Sequence, residues 1–140
     1  MLVKRDGNRH TVVTAWHVVS GQRPGEELDI HTPDGQRHQV EPGSIKRLGE
    51  VDLAVLTFTS SDTYETARVA DVASILMGNQ IFVAGFPLPT SAVPTRLLRF
   101  PKGDVIANAT VAIPNGYQLL NSNPTLPGMS GVINPEKIFA

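Results

Sequence analysis

The sequence contains no cysteine, which excludes a disulfide-bonded scaffold, a thiol nucleophile and thiolate ligands for a metal. Basic and acidic residues nearly balance, 12 against 13, and a net charge of −1 indicates neither a nucleic-acid partner nor an anionic membrane. No apolar run approaches the roughly 20 residues that a membrane-spanning helix needs. What remains, 41% hydrophobic residues over 140 positions, is typical of one globular domain or of two very small barrels.

The N-terminus, Met-Leu-Val-Lys-Arg-Asp, lacks the charged-then-apolar order and the small-residue cleavage site of a signal peptide. We therefore expect a cytoplasmic protein if the chain begins at its natural N-terminus, and a periplasmic or secreted one if a preceding segment is missing. Compartment and oligomeric state stay open at this stage.

The hydrophobic pattern predicts an all-β fold. Residues 11–14 (Thr-Val-Val-Thr) are β-branched throughout and predict a strand, and residues 16–19 predict one helical turn after it. The pair Asp34-Gly35 predicts a β-hairpin. Residues 53–58 form a nearly continuous apolar run, which predicts a strand buried on both faces. Short strands between regular turn signals, without a sustained helical period, favour an all-β architecture.

The C-terminal half carries two further hairpin signals. One predicted hairpin joins residues 96–100 and 104–107 around Pro-Lys-Gly, and the other joins residues 110–113 and 117–120 around Pro-Asn-Gly. Before them lies a stretch with weak periodicity that opens on Thr-Ser-Ser-Asp. This stretch predicts a connector between two halves of the chain.

The chemistry-bearing stretch with the most specific pattern is Gly-Met-Ser-Gly at residues 128–131. Gly128 allows the backbone to turn its N–H inward with no Cβ in the way. The N–H groups of Gly128 and Ser130 would then form an oxyanion hole, a pair of donors for a tetrahedral intermediate. Taken alone, the same four residues also fit an ordinary surface turn.

Two other residues change how that pattern is interpreted. His17 follows a β-branched strand, where it is either a partly buried histidine bonded to a backbone carbonyl or a general base. Asp52 stands at the head of an apolar strand, where a carboxylate needs a partner to offset its desolvation. A histidine Nδ1–H is a natural partner for it, since that bond fixes the imidazole tautomer. The other histidines, His10, His31 and His38, lack metal-ligand spacing and are predicted to be solvated, so no metal site is expected.

In this order, Thr-Ala-x-His, Asp-Leu-Ala-Val-Leu and Gly-x-Ser-Gly resemble the chymotrypsin/trypsin family. More narrowly, they resemble the cysteine-free bacterial trypsin-like peptidase domains, including the cyanobacterial and Deg-type proteases. The resemblance runs from about Val3 to Gly131 and implies a chymotrypsin-like double β-barrel with an active site between the barrels. The implied parts are an N-terminal barrel without its first strand, a connector and an incomplete C-terminal barrel, at residues 1–59, 60–79 and 80–140.

The resemblance also assigns roles to the residues that match its motifs. Ser130 is implied as the nucleophile, His17 as the general base and acid, Asp52 as the orienting carboxylate, and the amides of Gly128 and Ser130 as the oxyanion hole. The implied activity is hydrolysis of peptide bonds in a peptide or protein substrate through an acyl-enzyme, with no cofactor and no metal. The base of the substrate pocket is implied at three uncharged residues, which predict no strong preference for Lys or Arg: Pro124, Thr125 and Leu126.

The sequence departs from the family pattern at three places. The Gly-x-Gly strand expected before Val3 is absent, and Gly-Val-Ile follows the serine where Gly-Gly-Pro is usual. Met129 occupies the position where vertebrate-type members carry an aspartate that receives a newly cut N-terminus. The short segment after Ser130 predicts a truncated second barrel. The alternative function is therefore a catalytically inactive domain, either a gene fragment or a module that binds peptides or proteins without cutting them.

Overall fold

In the computed structural model, residues 1–23, 25–91, 94, 97–109, 111 and 118–129 are described. Their regular structure is almost entirely β, which confirms the predicted fold class. The strands are β1 (Leu2–Asp6), β2 (Arg9–Thr14), β3 (Asp29–His31), β4 (Arg37–Gln39), β5 (Lys46–Arg47), β6 (Ala54–Thr59), β7 (Gln80–Phe82), β8 (Lys102–Asn108) and β9 (Leu119–Asn121). One helical turn, α1 (Trp16–Val19), and one 3₁₀ turn (Val72–Ser74) complete them.

The largest sheet is antiparallel and has the strand order β1-β2-β6-β5. Strands β1 and β2 form a hairpin whose turn contains Gly7 at a φ of 60°, a left-handed conformation that glycine adopts without the steric cost of a Cβ. Strands β2 and β6 pair in continuous register from Arg9 opposite Thr59 to Thr14 opposite Ala54. Because β2 ends at Thr14 and β6 begins at Ala54, this pairing brings α1 close to the turn that precedes β6.

Strand β6 was expected to be buried on both faces, and this expectation is wrong in detail. Ala54, Leu56 and Phe58 are buried, whereas Val55 and Thr57 between them are only half-buried. Because side chains alternate across a strand, one face of β6 enters the core and the other is partly open. Ala54 and Leu56 belong to a core cluster with Val19 of α1, which packs the helical turn against the sheet.

The hairpin predicted around Asp34-Gly35 is confirmed. Strands β3 and β4 pair antiparallel, with Ile30 opposite His38, and Gly35 has a φ of 81° in the turn. Leu28 and Ile30 pack against the same core cluster as Leu56, so the hairpin covers part of the apolar face of the large sheet.

Two histidines predicted to be solvated are not. His10 is fully buried and stacks on Phe58 with ring centroids 4.8 Å apart, and His38 is half-buried against the same ring. Both histidines also contact the ring of Tyr64 edge-on. The expectation failed because His10 shares the inward face of β2 with Val12, where its ring stacks on Phe58 and its Nδ1 lies 3.1 Å from the carbonyl oxygen of Asn8.

In the C-terminal half, β8 pairs with β7 on one side and β9 on the other, both antiparallel. Lys102 lies opposite Phe82, so Pro101-Lys-Gly is the start of a strand and not the turn of a hairpin; this prediction is wrong. Ile81 and Val105 are buried here with Ile75. The hairpin predicted around residues 114–116 has its turn outside the described residues, although Leu119 pairs with Asn108 beside it.

The chain divides into two compact units, Met1–Thr66 and Ala67–Ala140. The four-stranded sheet, the β3–β4 hairpin and α1 belong to the first unit, and the β7-β8-β9 sheet belongs to the second. Within the described residues, none of these sheets closes on itself into a barrel. No helix in that part of the chain has the length and apolarity to span a membrane. The barrel boundaries at residues 59 and 80 stay a prediction.

Candidate active site

His17 lies in the helical turn that follows β2. Thr14 ends the strand, Ala15 is still extended with a φ of −72° and a ψ of 139°, and the helical turn then begins at Trp16. The turn is closed by the N–H of Ser20, which donates to the carbonyl oxygen of Trp16 at 2.9 Å. The side chain of His17 is 57% exposed, so its ring is accessible to solvent.

Asp52 lies in the turn before β6, and its carboxylate binds residue 17 through two hydrogen bonds. The backbone N–H of His17 donates to Oδ1 at 2.9 Å, and the imidazole Nδ1 donates to Oδ2 at 2.7 Å. The backbone is tied as well, since the N–H of Trp16 donates to the carbonyl oxygen of Asp52 at 3.3 Å. The Asp52 side chain is only 15% exposed, so this pair is shielded on the carboxylate side and open on the imidazole side.

The carboxylate of Asp52 also caps the helical turn. The first N–H groups of a helix lack partners within it, and a side-chain oxygen of the N-cap residue usually accepts from one of them. Ala15 stands at the N-cap and makes no such bond. Asp52, from a separate loop, accepts from the N–H of His17 instead. One carboxylate therefore fixes both the backbone and the ring of the same histidine.

These bonds determine which imidazole nitrogen is available for chemistry. An ionised carboxylate accepts hydrogen bonds and donates none, so Nδ1 of His17 carries its hydrogen towards Asp52. In the neutral ring the lone pair then lies on Nε2, on the other side of the imidazole. A histidine in this state can take up a proton at Nε2, and Asp52 stabilises the resulting imidazolium.

The predicted nucleophile, Ser130, lies outside the described residues. The residues that precede it form a turn in which the N–H of Met129 donates to the carbonyl oxygen of Leu126 at 3.2 Å. Gly128 in this turn has a φ of +91°. A Cβ at this position would lie 2.8 Å from the backbone nitrogen of Leu88, closer than such contacts normally come. Only glycine therefore fits here, because the backbone is left-handed and there is no room for a Cβ.

Met129 packs the end of this turn against Gly85, which forms an isolated β-bridge with Arg99. Its side chain is buried, with 6% exposed, and it packs directly against Gly85. A Cβ on Gly85 would come within 2.8 Å of both Cβ and Cγ of Met129. Met129, at the position where the sequence pattern predicts an aspartate in vertebrate-type trypsin-like peptidases, is thus an apolar side chain buried in the core.

Asn123 fixes the other end of the segment. Its side-chain amide donates to the carbonyl oxygens of Ile81 at 3.2 Å and Pro101 at 2.7 Å, so it bridges β7 and the residue before β8. The backbone of Asn123 also approaches Gly103, where an added Cβ would lie 2.5 Å from its nitrogen. The residues between Asn123 and the Gly128 turn are exposed and uncharged, and their role as a substrate pocket stays a prediction: Pro124, Thr125 and Leu126.

Substituting alanine at Gly128 should therefore destabilise the second unit. Gly128→Ala is expected to lower the free energy of unfolding by about 2–4 kcal/mol, from the cost of a left-handed backbone and from overpacking against Leu88. Urea unfolding followed by far-UV circular dichroism measures this. Gly78→Ala is the matched control, because Gly78 has a φ of +84° in the same unit but open space at its Cβ position. It should cost only about 1–2 kcal/mol; equal costs would contradict the close approach.

Of the residues that the sequence singled out, the structure brings His17 and Asp52 together. Gly128 and the three pocket residues lie in the second unit, shortly before Ser130 in the sequence. Two contributions were not predicted: the bridging role of Asn123, which was expected only to line the pocket as part of Asn121 to Pro127, and the contact of Arg47 with the turn before Asp52. Across the described parts of the chain, no group of three or more His, Asp or Glu side chains is arranged to hold a metal ion.

Comparisons with known proteins show the fold and the family of the chain. A comparison with curated proteins gave no match. Two solved structures share the fold: an HtrA-type protease, a variant of AlgW with a tripeptide (17% identity, TM-score 0.66), and Deg5 (18% identity, TM-score 0.65). Each similarity covers 92% of this chain, but only 40% of the AlgW chain and 64% of the Deg5 chain. The profile of the trypsin-like peptidase domain matches residues 1–133, and the chain therefore belongs to the family of trypsin-like peptidase domains.

Proposed function

We propose that the chain is a serine endopeptidase domain that cleaves peptide bonds through an acyl-enzyme. Ser130 is the nucleophile in this proposal, and His17 takes its proton at Nε2 and later returns it to the leaving amine. Asp52 keeps the imidazole in the required tautomer. The backbone N–H groups of Gly128 and Ser130 stabilise the oxyanion of the tetrahedral intermediate.

The observation that carries the proposal is the pair of bonds from residue 17 to the Asp52 carboxylate, at 2.9 Å and 2.7 Å. The bond from Nδ1 fixes the ring of His17 in one tautomer, and the 57% exposure of the side chain leaves Nε2 open to solvent. A general base needs both, because its ring must be held rigidly and its Nε2 must reach a substrate. Membership of the trypsin-like peptidase domain family supports the same interpretation.

The proposed substrate is a peptide or a protein. One of the structures with the same fold, the HtrA-type protease AlgW, contains a tripeptide. In this chain the proposed pocket residues Pro124, Thr125 and Leu126 provide no carboxylate for a basic side chain. Comparable cleavage of substrates with Lys, Leu or Ala before the scissile bond is therefore part of the proposal.

Labelling with a fluorophosphonate probe tests the nucleophile. The probe forms a covalent bond only with an activated serine hydroxyl, so the wild-type chain should gain the mass of one adduct and Ser130→Ala should gain none. Ser91→Ala is the control, since Ser91 is an exposed serine in the same unit. Labelling that persists in Ser130→Ala would refute the assignment. A wild-type chain that binds peptides but neither labels nor cleaves would instead be a binding module.

A further inference from the structure

Arg47 makes the contacts that hold the loop before Asp52 in place. It ends β5 opposite Ala54, and the N–H of Leu48 donates to the carbonyl oxygen of Leu53 at 2.9 Å, which closes the loop between β5 and β6. The guanidinium group reaches back across this loop. Its Nε donates to the carbonyl oxygen of Val51 at 3.1 Å, and its Nη2 donates to that of Glu50 at 2.9 Å. Two successive peptide groups just before Asp52 are thereby fixed by one planar side chain.

The same guanidinium lies over the ring of Trp16. Its Cζ is 5.8 Å from the ring centroid, within the range of a cation–π contact. Trp16 is the residue before His17, and its N–H also donates to the carbonyl oxygen of Asp52. Arg47 therefore contacts the residue that precedes each member of the His17–Asp52 pair, Trp16 before His17 and Val51 before Asp52.

We infer that Arg47 is a positioning residue that sets the geometry of the His17–Asp52 hydrogen bonds. A guanidinium suits this role because its donors are fixed in one plane, so two carbonyl oxygens and an aromatic face are held in a defined relation. Arg47 is exposed, and exposed polar contacts contribute little to global stability. Its loss should loosen the pair locally and leave the core intact. The catalytic consequence rests on the proposed function; the geometric one does not.

Amide hydrogen exchange followed by NMR tests the geometric claim in the full chain. In Arg47→Gln, the N–H of His17, which donates to Asp52, should exchange about 5- to 10-fold faster than in the wild type. The N–H of buried Leu56 should be unchanged, because the core of the unit is untouched. Lys46→Gln is the matched control, since it removes the same charge from the neighbouring exposed residue of β5. Arg47→Lys, which keeps the charge but not the planar pair of donors, should give an intermediate rate.

The inference is overturned if the His17 amide exchanges equally fast in Arg47→Gln and Lys46→Gln, or if the Leu56 amide accelerates to the same extent. Peptide turnover tests the catalytic part: kcat should fall roughly 5- to 10-fold in Arg47→Gln with KM unchanged. A wild-type chain without turnover would defeat the proposed function while the exchange result still decides the role of Arg47. Faster exchange with unchanged kcat would show that Arg47 does not act on catalysis.

Discussion

Replacing Asp52 by asparagine is expected to lower kcat by about 10⁴-fold while the chain stays folded, a loss typical of this exchange in Ser-His-Asp enzymes. The side-chain oxygen of asparagine can still accept from the backbone N–H of His17, so the cap of the helical turn is retained. The amide NH₂ group would face Nδ1, and two donors cannot bond to each other. The imidazole hydrogen must therefore move to Nε2, which removes the lone pair that the base needs.

Steady-state turnover of a fluorogenic peptide, together with circular dichroism, measures this effect. Asp29→Asn is the matched control, because Asp29 is another partly shielded carboxylate of the first unit, 21% exposed and 3.4 Å from Arg37. It should leave kcat within about twofold of the wild type, as substitutions away from the site usually do. An Asp52→Asn variant with wild-type kcat would show that the carboxylate only caps the helical turn.

The second large effect is expected at the imidazole itself. His17→Ala should lower kcat by about 10⁶-fold, because removing the general base of a catalytic triad costs nearly as much as removing all three triad residues. The core should tolerate the change, since the His17 side chain is more than half exposed and its backbone N–H still donates to Asp52. Fluorophosphonate labelling should disappear in parallel, because the hydroxyl of Ser130 would no longer be activated.

His31→Ala provides the control for this experiment. His31 is an exposed histidine of β3 in the same unit, so His31→Ala removes the same side chain as His17→Ala does. Its kcat and its labelling should match those of the wild type. Retention of labelling in His17→Ala at the wild-type rate would contradict the role of His17 as general base.

The pairing of His17 with Asp52 could be predicted from the sequence because each residue carried a local signal. Asp52 stands before an apolar strand, where burial demands a partner, and His17 follows a strand rich in β-branched residues. Strands β2 and β6 then pair from Thr14 opposite Ala54, which places the two flanking turns at the same end of the sheet. Local patterns were sufficient here because both residues lie next to strand ends that are paired to each other.

Local patterns failed where pairing between distant segments overrode them. Residues around Pro101 carry a turn signal, yet β8 begins at Lys102. Lys102 is in a strand because it pairs with Phe82 of β7, a residue far from it in the sequence. His10 is polar by composition, but the register that places it opposite Phe58 gives its ring an aromatic stack inside the core. In both cases the structure of the residue is decided by a partner strand, which the neighbouring residues in the sequence do not indicate.

The contributions of Arg47 and Asn123 had no sequence signal at all. Each acts by donating to backbone carbonyl oxygens, and those oxygens belong to every residue type alike. Arg47 contacts Glu50 and Val51 close by in sequence, but only the folded loop turns their carbonyl oxygens towards it. Strand β1 was not predicted because most of its residues are polar and show no strand pattern. Gly7, which forms its hairpin turn, was the one local signal for it.

The most direct test of the account is the distance between Ser130 Oγ and His17 Nε2 in a crystal structure of the chain, determined with and without a fluorophosphonate. We expect the two atoms within about 3.5 Å of each other in the free chain, and the phosphonate bound to Oγ in the treated one. A separation of many ångströms in both crystals, with no adduct on Ser130, would contradict the proposal and leave a trypsin-like fold without a peptidase site.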